Sequence, residues 1–287
     1  MARGRGVANG ILFLLTLCLQ ANTGQCQDAD NLRIVLVGKT GSGKSAAGNT
    51  ILGREAFKSE PSPVSVTSQS EKQSGDVNGR KIDVIDTPGL FDTKMSQEKM
   101  KREIKNAIYM SVPGPHVFLL VVRLGRFTEE EQNTVKWIQE NFGEEASMYT
   151  IVLFTHADQL NGKSVEEFLK KSPDLERLVN SCRGRYHSLI NDGRRDKTQV
   201  TELLEKIKEM LKGNGGLHYT SDVYEEAQRE IKCAISHCKW RALGNIAATA
   251  VGLYFASPVL VTAGVVGGAN TLECTKEFFE CYIPKIY

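Results

Sequence analysis

Gly38-Lys39-Thr40-Gly41-Ser42-Gly43-Lys44-Ser45 holds the most specific chemistry in this 287-residue chain. It fits the pattern G-x-x-x-x-G-K-[ST]. Glycines at these places let the backbone curl until successive N–H groups face one anion. Lys44 then supplies a cation for the β- and γ-phosphates of a nucleotide, and Ser45 a hydroxyl for Mg²⁺. Ala46 completes the expected nucleotide contacts of this stretch. The pattern carries weight only between a strand and a helix. An apolar, β-branched run, Leu32 to Val37, precedes it, and a helix-forming run from Lys44 to Gly53 follows. A helix starting there directs its positive end at the same anion.

Further along the chain stand three more groups of polar residues. Asp86-Thr87-Pro88-Gly89 ends the β-branched run Lys81 to Ile85. A carboxylate there serves the Mg²⁺ shell, and the Gly89 amide can sense a γ-phosphate. Thr155-His156-Ala157-Asp158 follows the apolar run Tyr149 to Leu153. In guanine-specific GTPases this place carries Asn-Lys-x-Asp, whose Asp accepts from the guanine N1–H and amine. Adenine lacks that donor pair, so a buried Asp158 left unpaired would reject it. Thr155 and His156 replace the usual Asn and Lys, and His156 is kept as a nucleotide contact. The fourth group is Tyr186-His187-Ser188-Leu189-Ile190-Asn191, with Asn191 placed to contact the base.

These residues need elements to bring them together. Strands are expected near Leu32–Val37, Ile82–Asp86, His116–Val122, Tyr149–Phe154 and Tyr186–Leu189, with an antiparallel strand near Gln69–Val77. Helices are expected near Lys44–Leu52, Gln97–Met110, Glu129–Asn141, Val165–Lys171 and Thr198–Leu211. Thr128 and Glu131 form a capping box at the start of the third helix. Strands alternating with helices imply an α/β fold with a mostly parallel central sheet, helices on both faces, and a helical and hydrophobic C-terminal extension. Ligands of such sheets sit beyond the carboxyl ends of the strands, where every motif falls.

The motifs Gly-Lys-Thr-Gly-Ser-Gly-Lys-Ser, Asp-Thr-Pro-Gly-Leu-Phe-Asp-Thr, Pro-Gly-Pro-His and Leu-Gly-Arg-Phe-Thr-Glu-Glu-Glu together resemble the immunity-associated GTPase (GIMAP) family. These are relatives of septins and of chloroplast import GTPases. The likeness covers roughly Asn31 to Gly213, and the box Leu124 to Glu131 is its most distinctive part. It implies a P-loop NTPase G domain that binds GTP and GDP with Mg²⁺ and assembles as a homodimer or oligomer through its nucleotide face. Metal contacts would come from Ser45, Thr67 and Asp86. Thr67 is the candidate switch residue, in the Ser- and Pro-rich stretch Ser59 to Thr67. Leu90 and Phe91 stand where many small GTPases place a water-orienting glutamine, so an isolated copy should turn over slowly. The resemblance offers Arg126 as a catalytic arginine inserted across a dimer; read from the residues alone, Arg126 pairs with Glu129 or Glu130. Two activities stay open: a dimer-activated GTPase, and a scaffold that polymerises in the GTP state with little hydrolysis.

Composition sets the outer limits. The formal charge is +2, which gives no electrostatic footprint for nucleic acid. Residues 1–30 form a hydrophobic leader with the layout of a secretory signal: Arg3 and Arg5, an apolar run Gly10 to Leu19, then small residues. A true signal, a membrane-contacting segment and an alternative start all fit it; the reading adopted is a cytosolic G domain over residues 31–213. Seven cysteines, an odd number, show no zinc spacing. Residues 214–241 are charged and helix-forming. Residues 242–272 hold no charged residue, exceed the length of about 20 apolar residues that a spanning helix needs, and are followed by a tail, 273–287. Membrane attachment through 242–272 is the favoured reading, against a helical hairpin in one leaflet or a segment buried on the G domain. Lys232, Lys239 and Arg241 suit its cytosolic side.

Overall fold

The computed structural model describes residues 31–59, 69–89, 95–125, 133–160, 162–191 and 197–232. The elements below all lie in the unit Leu32–Tyr287. In chain order they are β1 (Leu32–Val37), α1 (Lys44–Leu52), β2 (Glu71–Val77), β3 (Arg80–Asp86), α2 (Gln97–Ser111), β4 (Val117–Arg123), α3 (Thr134–Phe142), β5 (Thr150–Thr155), α4 (Val165–Leu169), α5 (Pro173–Ser181), β6 (Tyr186–Leu189) and α6 (Lys197–Gly213). Short 3₁₀ turns at Glu144–Tyr149 and Ala157–Leu160 flank β5, and residues 222–232 are helical.

The strands form one sheet in the order β2-β3-β1-β4-β5-β6. All neighbours are parallel except β2 and β3. Alternation with period two divides the central strands between two cores. Val35, Val37, Phe118, Leu120, Val152 and Phe154 face α2, α3 and α5. Ile34, Leu36, Leu119, Val121, Ile151 and Leu153 face α1 and α6. Both faces are therefore covered, which is why β1, β4 and β5 read as almost unbroken apolar runs.

The edges are polar. β2 has only intermediate and exposed residues. At β6, the Lys206 Nζ donates to the Tyr186 carbonyl at 3.0 Å. The Gln199 amide donates to Ile190 O at 3.0 Å and accepts from Ile190 N at 2.9 Å. These side chains occupy backbone groups that a stray strand would otherwise pair with.

The expected helix from Glu129 is seen from Thr134 onward; the box of Thr128 and Glu131 lies outside the described residues. One helix, α5, was not expected from the sequence. Its signals were present: Ser172 accepts from Leu175 N, and Pro173 opens the first turn. Beyond α6 the chain folds back onto the first core. The Tyr219 amide donates to Pro115 O at 2.8 Å, and its hydroxyl to Phe142 O at 2.9 Å. Tyr224, fully buried, lies 3.2 Å from Ser111 Oγ. Among the described residues no helix is long and apolar enough to cross a membrane; the leader 1–30, Cys233, Cys238 and residues 242–272 lie outside them.

Candidate functional site

The carboxyl ends of β1, β3, β5 and β6 bring four sequence motifs to one end of the sheet. The chain leaves β1 through Gly38 and turns at Gly41 and Gly43, both in the left-handed region at φ +79 and +93. Lys39 O accepts from the Ser42 amide at 3.2 Å, closing the turn. From there α1 runs to Gly53, and Thr50 Oγ1 bonds back to Ala46 O at 3.0 Å.

Gly38 is fixed by packing. A Cβ built on it would stand 2.4 Å from Val121 O on the neighbouring strand, with φ at +156. Gly89 also makes a close approach: its Cβ would fall 1.9 Å from Thr40 Oγ1 and 2.6 Å from Thr40 Cα. The end of the Asp86–Gly89 motif thus rests directly on the loop. Gly38→Ala is expected to destabilise the fold by about 1–3 kcal/mol, the usual range for overpacking. In a domain of this size that lowers Tm by roughly 2–12 °C, as a thermal melt will show.

Inside the loop, Lys44 is 6% exposed. Its Nζ donates to Gly38 O at 3.0 Å and Lys39 O at 3.1 Å. Ser45 Oγ donates to Asp86 Oδ2 at 2.6 Å, joining two motifs. Thr87 Oγ1 holds the second motif to β1 through Leu36 O at 2.7 Å.

The third motif is tied to the first by Thr155, which the sequence marks only as a replacement for the usual Asn. Thr155, fully buried, donates through Oγ1 to Ser42 O at 2.7 Å. His156 follows in the left-handed region at φ 60, with Nδ1 at 3.2 Å from Thr155 Oγ1. Burial lowers its pKa, and Arg123 adds to that, so the ring is neutral at pH 7. Asp158 stands exposed on its 3₁₀ turn. The turn places Asp158 beyond the end of β5. Asn191 meets α1: Thr50 Oγ1 donates to its Oδ1 at 2.8 Å, and its Nδ2 lies 3.6 Å from a Cβ built on Gly43.

Three polar atoms around the loop, Thr40 Oγ1, Ser42 Oγ and Asn191 Nδ2, are buried without a hydrogen-bond partner among the described residues. Buried polar groups are nearly always satisfied, so such a cluster marks a place for a polar ligand. The Ser45 hydroxyl and Asp86 carboxylate are hard oxygen donors held together, a set that suits Mg²⁺ with water and phosphate completing its shell. Thr67, Leu90, Phe91 and Arg126 lie outside the described residues.

Comparison with known proteins gives the family and the fold. A sequence model of the AIG1 family matches residues 32–239. GTPase IMAP family member 8 of Homo sapiens is 39% identical over 199 residues, covering 68% of this chain and 30% of that protein. Immune-associated nucleotide-binding protein 9 of Arabidopsis thaliana is 39% identical over 210 residues, covering 69% of this chain and 60% of that protein. The matched part thus spans less than two thirds of either relative. Among solved structures, Toc33 from Arabidopsis thaliana in complex with GDP and Mg²⁺ superposes with TM-score 0.53 at 23% identity, over 65% of this chain and 86% of that one. A dimerization-deficient arginine-to-alanine variant of Toc33 has the same TM-score, identity and coverage. At this identity the structural likeness speaks for the fold.

Proposed function

Since the chain belongs to the AIG1 family of GTPases, we propose that it is a GTP- and GDP-binding switch whose site is the loop Gly38–Ser45 with Ala46, Asp86, Gly89, His156, Asp158 and Asn191. The observation that carries this reading is the convergence of Lys44, Ser45 and Asp86 beneath three buried polar atoms that lack partners among the described residues. A nucleotide's phosphates supply acceptors for Thr40 and Ser42. They also draw Lys44 Nζ away from the carbonyls it now holds. Mg²⁺, when bound, neutralises phosphate charge. Ser45 and Asp86 would hold it, with Thr67 as the switch residue. Calorimetric titration of the full chain with GTP and GDP tests the reading directly.

Base choice rests on Asp158. Its carboxylate accepts from both N1–H and the exocyclic amine of guanine, and stacking of the base removes it from water. Asp158→Asn should relax this choice, because one acceptor is replaced by a donor. Loss of a hydrogen bond to a charged group costs about 1.5–3 kcal/mol, so GTP affinity should fall by roughly ten- to a hundredfold. Xanthosine triphosphate, whose keto group accepts from the new amide, should gain. Competition of GTP and xanthosine triphosphate on the variant measures it. An unchanged preference for GTP would remove Asp158 from the site.

Hydrolysis and assembly follow as part of the same proposal. Arg126 is the arginine offered to a second copy, and the Toc33 variant deficient in dimerization has an arginine replaced by alanine. Another solved structure is of chloroplast translocon components for whose GTPase activity dimerization is important. These support a GTP-dependent homodimer. Leu90, unable to orient water, supports the second reading, a GTP-state scaffold with little turnover. In both, residues 242–272 attach the protein to an intracellular membrane and the G domain stays on the cytosolic side.

A further inference from the structure

At the opposite end of the sheet from Asp158 and Asn191, the amino ends of β5 and β6 open into a cleft of about 460 Å³. Ile151 and Met210 form its floor, and Arg183, Arg185, Lys206 and Glu209 its charged walls. Three cations and one carboxylate line it, and a second carboxylate, Glu166, held by the Tyr186 hydroxyl, also interacts with Lys206, which leaves the cleft net positive. Among the described residues none of the three is in an ion pair.

Arg185 and Lys206 are held in place by backbone carbonyls. Arg185 donates through Nε to Thr150 O at 3.1 Å and through Nη2 to Ser147 O at 3.0 Å. Its remaining N–H groups stay available. Burial lowers the Arg185 pKa, and Arg183 adds to that lowering. The half-buried Arg185 and the exposed Arg183 are thus close enough to repel each other. Lys206 is fixed by Tyr186 O and by the face of the Tyr186 ring, 5.5 Å from its centroid. Arg183 sits in the left-handed region at φ 57, beside Gly184 at φ 71. A non-glycine residue there costs energy. Glycine would suit the backbone better, and the arginine spends stability to present its side chain.

We propose that this cleft is a second anion site, separate from the nucleotide loop, for a phosphate monoester carried on a polar body of sugar size. A phosphate monoester carries a charge of about −1.5 to −2 at neutral pH, opposite in sign to the cleft. The guanidinium forks of Arg183 and Arg185 suit its oxygens. A lone phosphate would fill little of the volume, and clefts of this size take whole small molecules. The group can come from a soluble sugar phosphate or from the headgroup of an inositol phospholipid.

The test uses the full chain with GDP and Mg²⁺ in excess, titrated calorimetrically with inositol monophosphate and, as control, with inositol. Binding of the phosphate ester and not of inositol is expected. Arg183→Gly should weaken that binding by about tenfold or more while Tm stays level or rises, since the backbone strain is relieved. Lys206→Gln, remote from that strain, should weaken it too. The phosphate loop is intact in both variants, so the difference from wild type belongs to the cleft whether or not the loop binds GDP. Phosphatidylcholine vesicles with and without phosphatidylinositol monophosphate then assign the source. Retention that depends on the phospholipid and is lost in Arg183→Gly assigns the lipid, and equal retention assigns the soluble ester. A flat wild-type titration, or variants that bind as wild type does, would overturn the site.

Discussion

Lys44→Ala is expected to weaken GTP and GDP binding severely and to leave the fold standing. Lys44 is the buried cation of the loop, and its Nζ donates to the loop carbonyls of Gly38 and Lys39. Those carbonyls can turn to water when the side chain is gone. The phosphates cannot replace a desolvated cation so easily. Truncating one member of a buried charge pair costs about 2–5 kcal/mol, which weakens binding by roughly thirtyfold to several thousandfold. Calorimetry gives the affinity, and the melting curve checks that the fold persists. Undiminished binding would remove the loop from the nucleotide site.

Arg126→Ala should reduce GTP turnover on the order of a thousandfold, the usual worth of an arginine placed against the transferring phosphoryl group. Nucleotide affinity should change far less, because the contact forms mainly in the transition state. The specific activity of the wild type should also rise with protein concentration, since the arginine acts on a second copy. A concentration series of the full chain separates the two proposed activities. Specific activity that stays flat while dimers form would reject the dimer-activated enzyme and favour the scaffold.

The sheet was legible in the sequence because its inner strands are buried on both faces, which forces long β-branched and apolar runs at Leu32–Val37 and Thr150–Thr155. The loop was legible because its glycines answer local demands: turns at Gly41 and Gly43, close packing at Gly38. Thr155 was read only as a substitute for the usual Asn. Its bond to Ser42 O spans more than a hundred residues, and no local pattern records such a contact. Tyr219 and Tyr224 stand in a stretch that reads as polar, yet both are buried, because α2, α3 and the turn at Pro115 leave a hollow that only the folded chain defines. The basic cleft is equally silent in the sequence, since Arg183, Arg185 and Lys206 meet only when α6 packs beside β6. Asp158 shows the reverse. The sequence singles it out by its place after a strand, but its exposure depends on a short 3₁₀ turn that the pattern does not specify.

The central claim is that this site binds guanine nucleotide through the loop and Asp158. The most direct measurement is a paired calorimetric titration of the full chain with GTP and with ATP, both with Mg²⁺. A site that hydrogen-bonds its ligand can reject an analogue lacking the donors by roughly 10⁴. Asp158 is exposed before binding, which reduces that penalty, so GTP should bind on the order of a hundredfold or more tighter than ATP. Equal affinities for the two would contradict the claim.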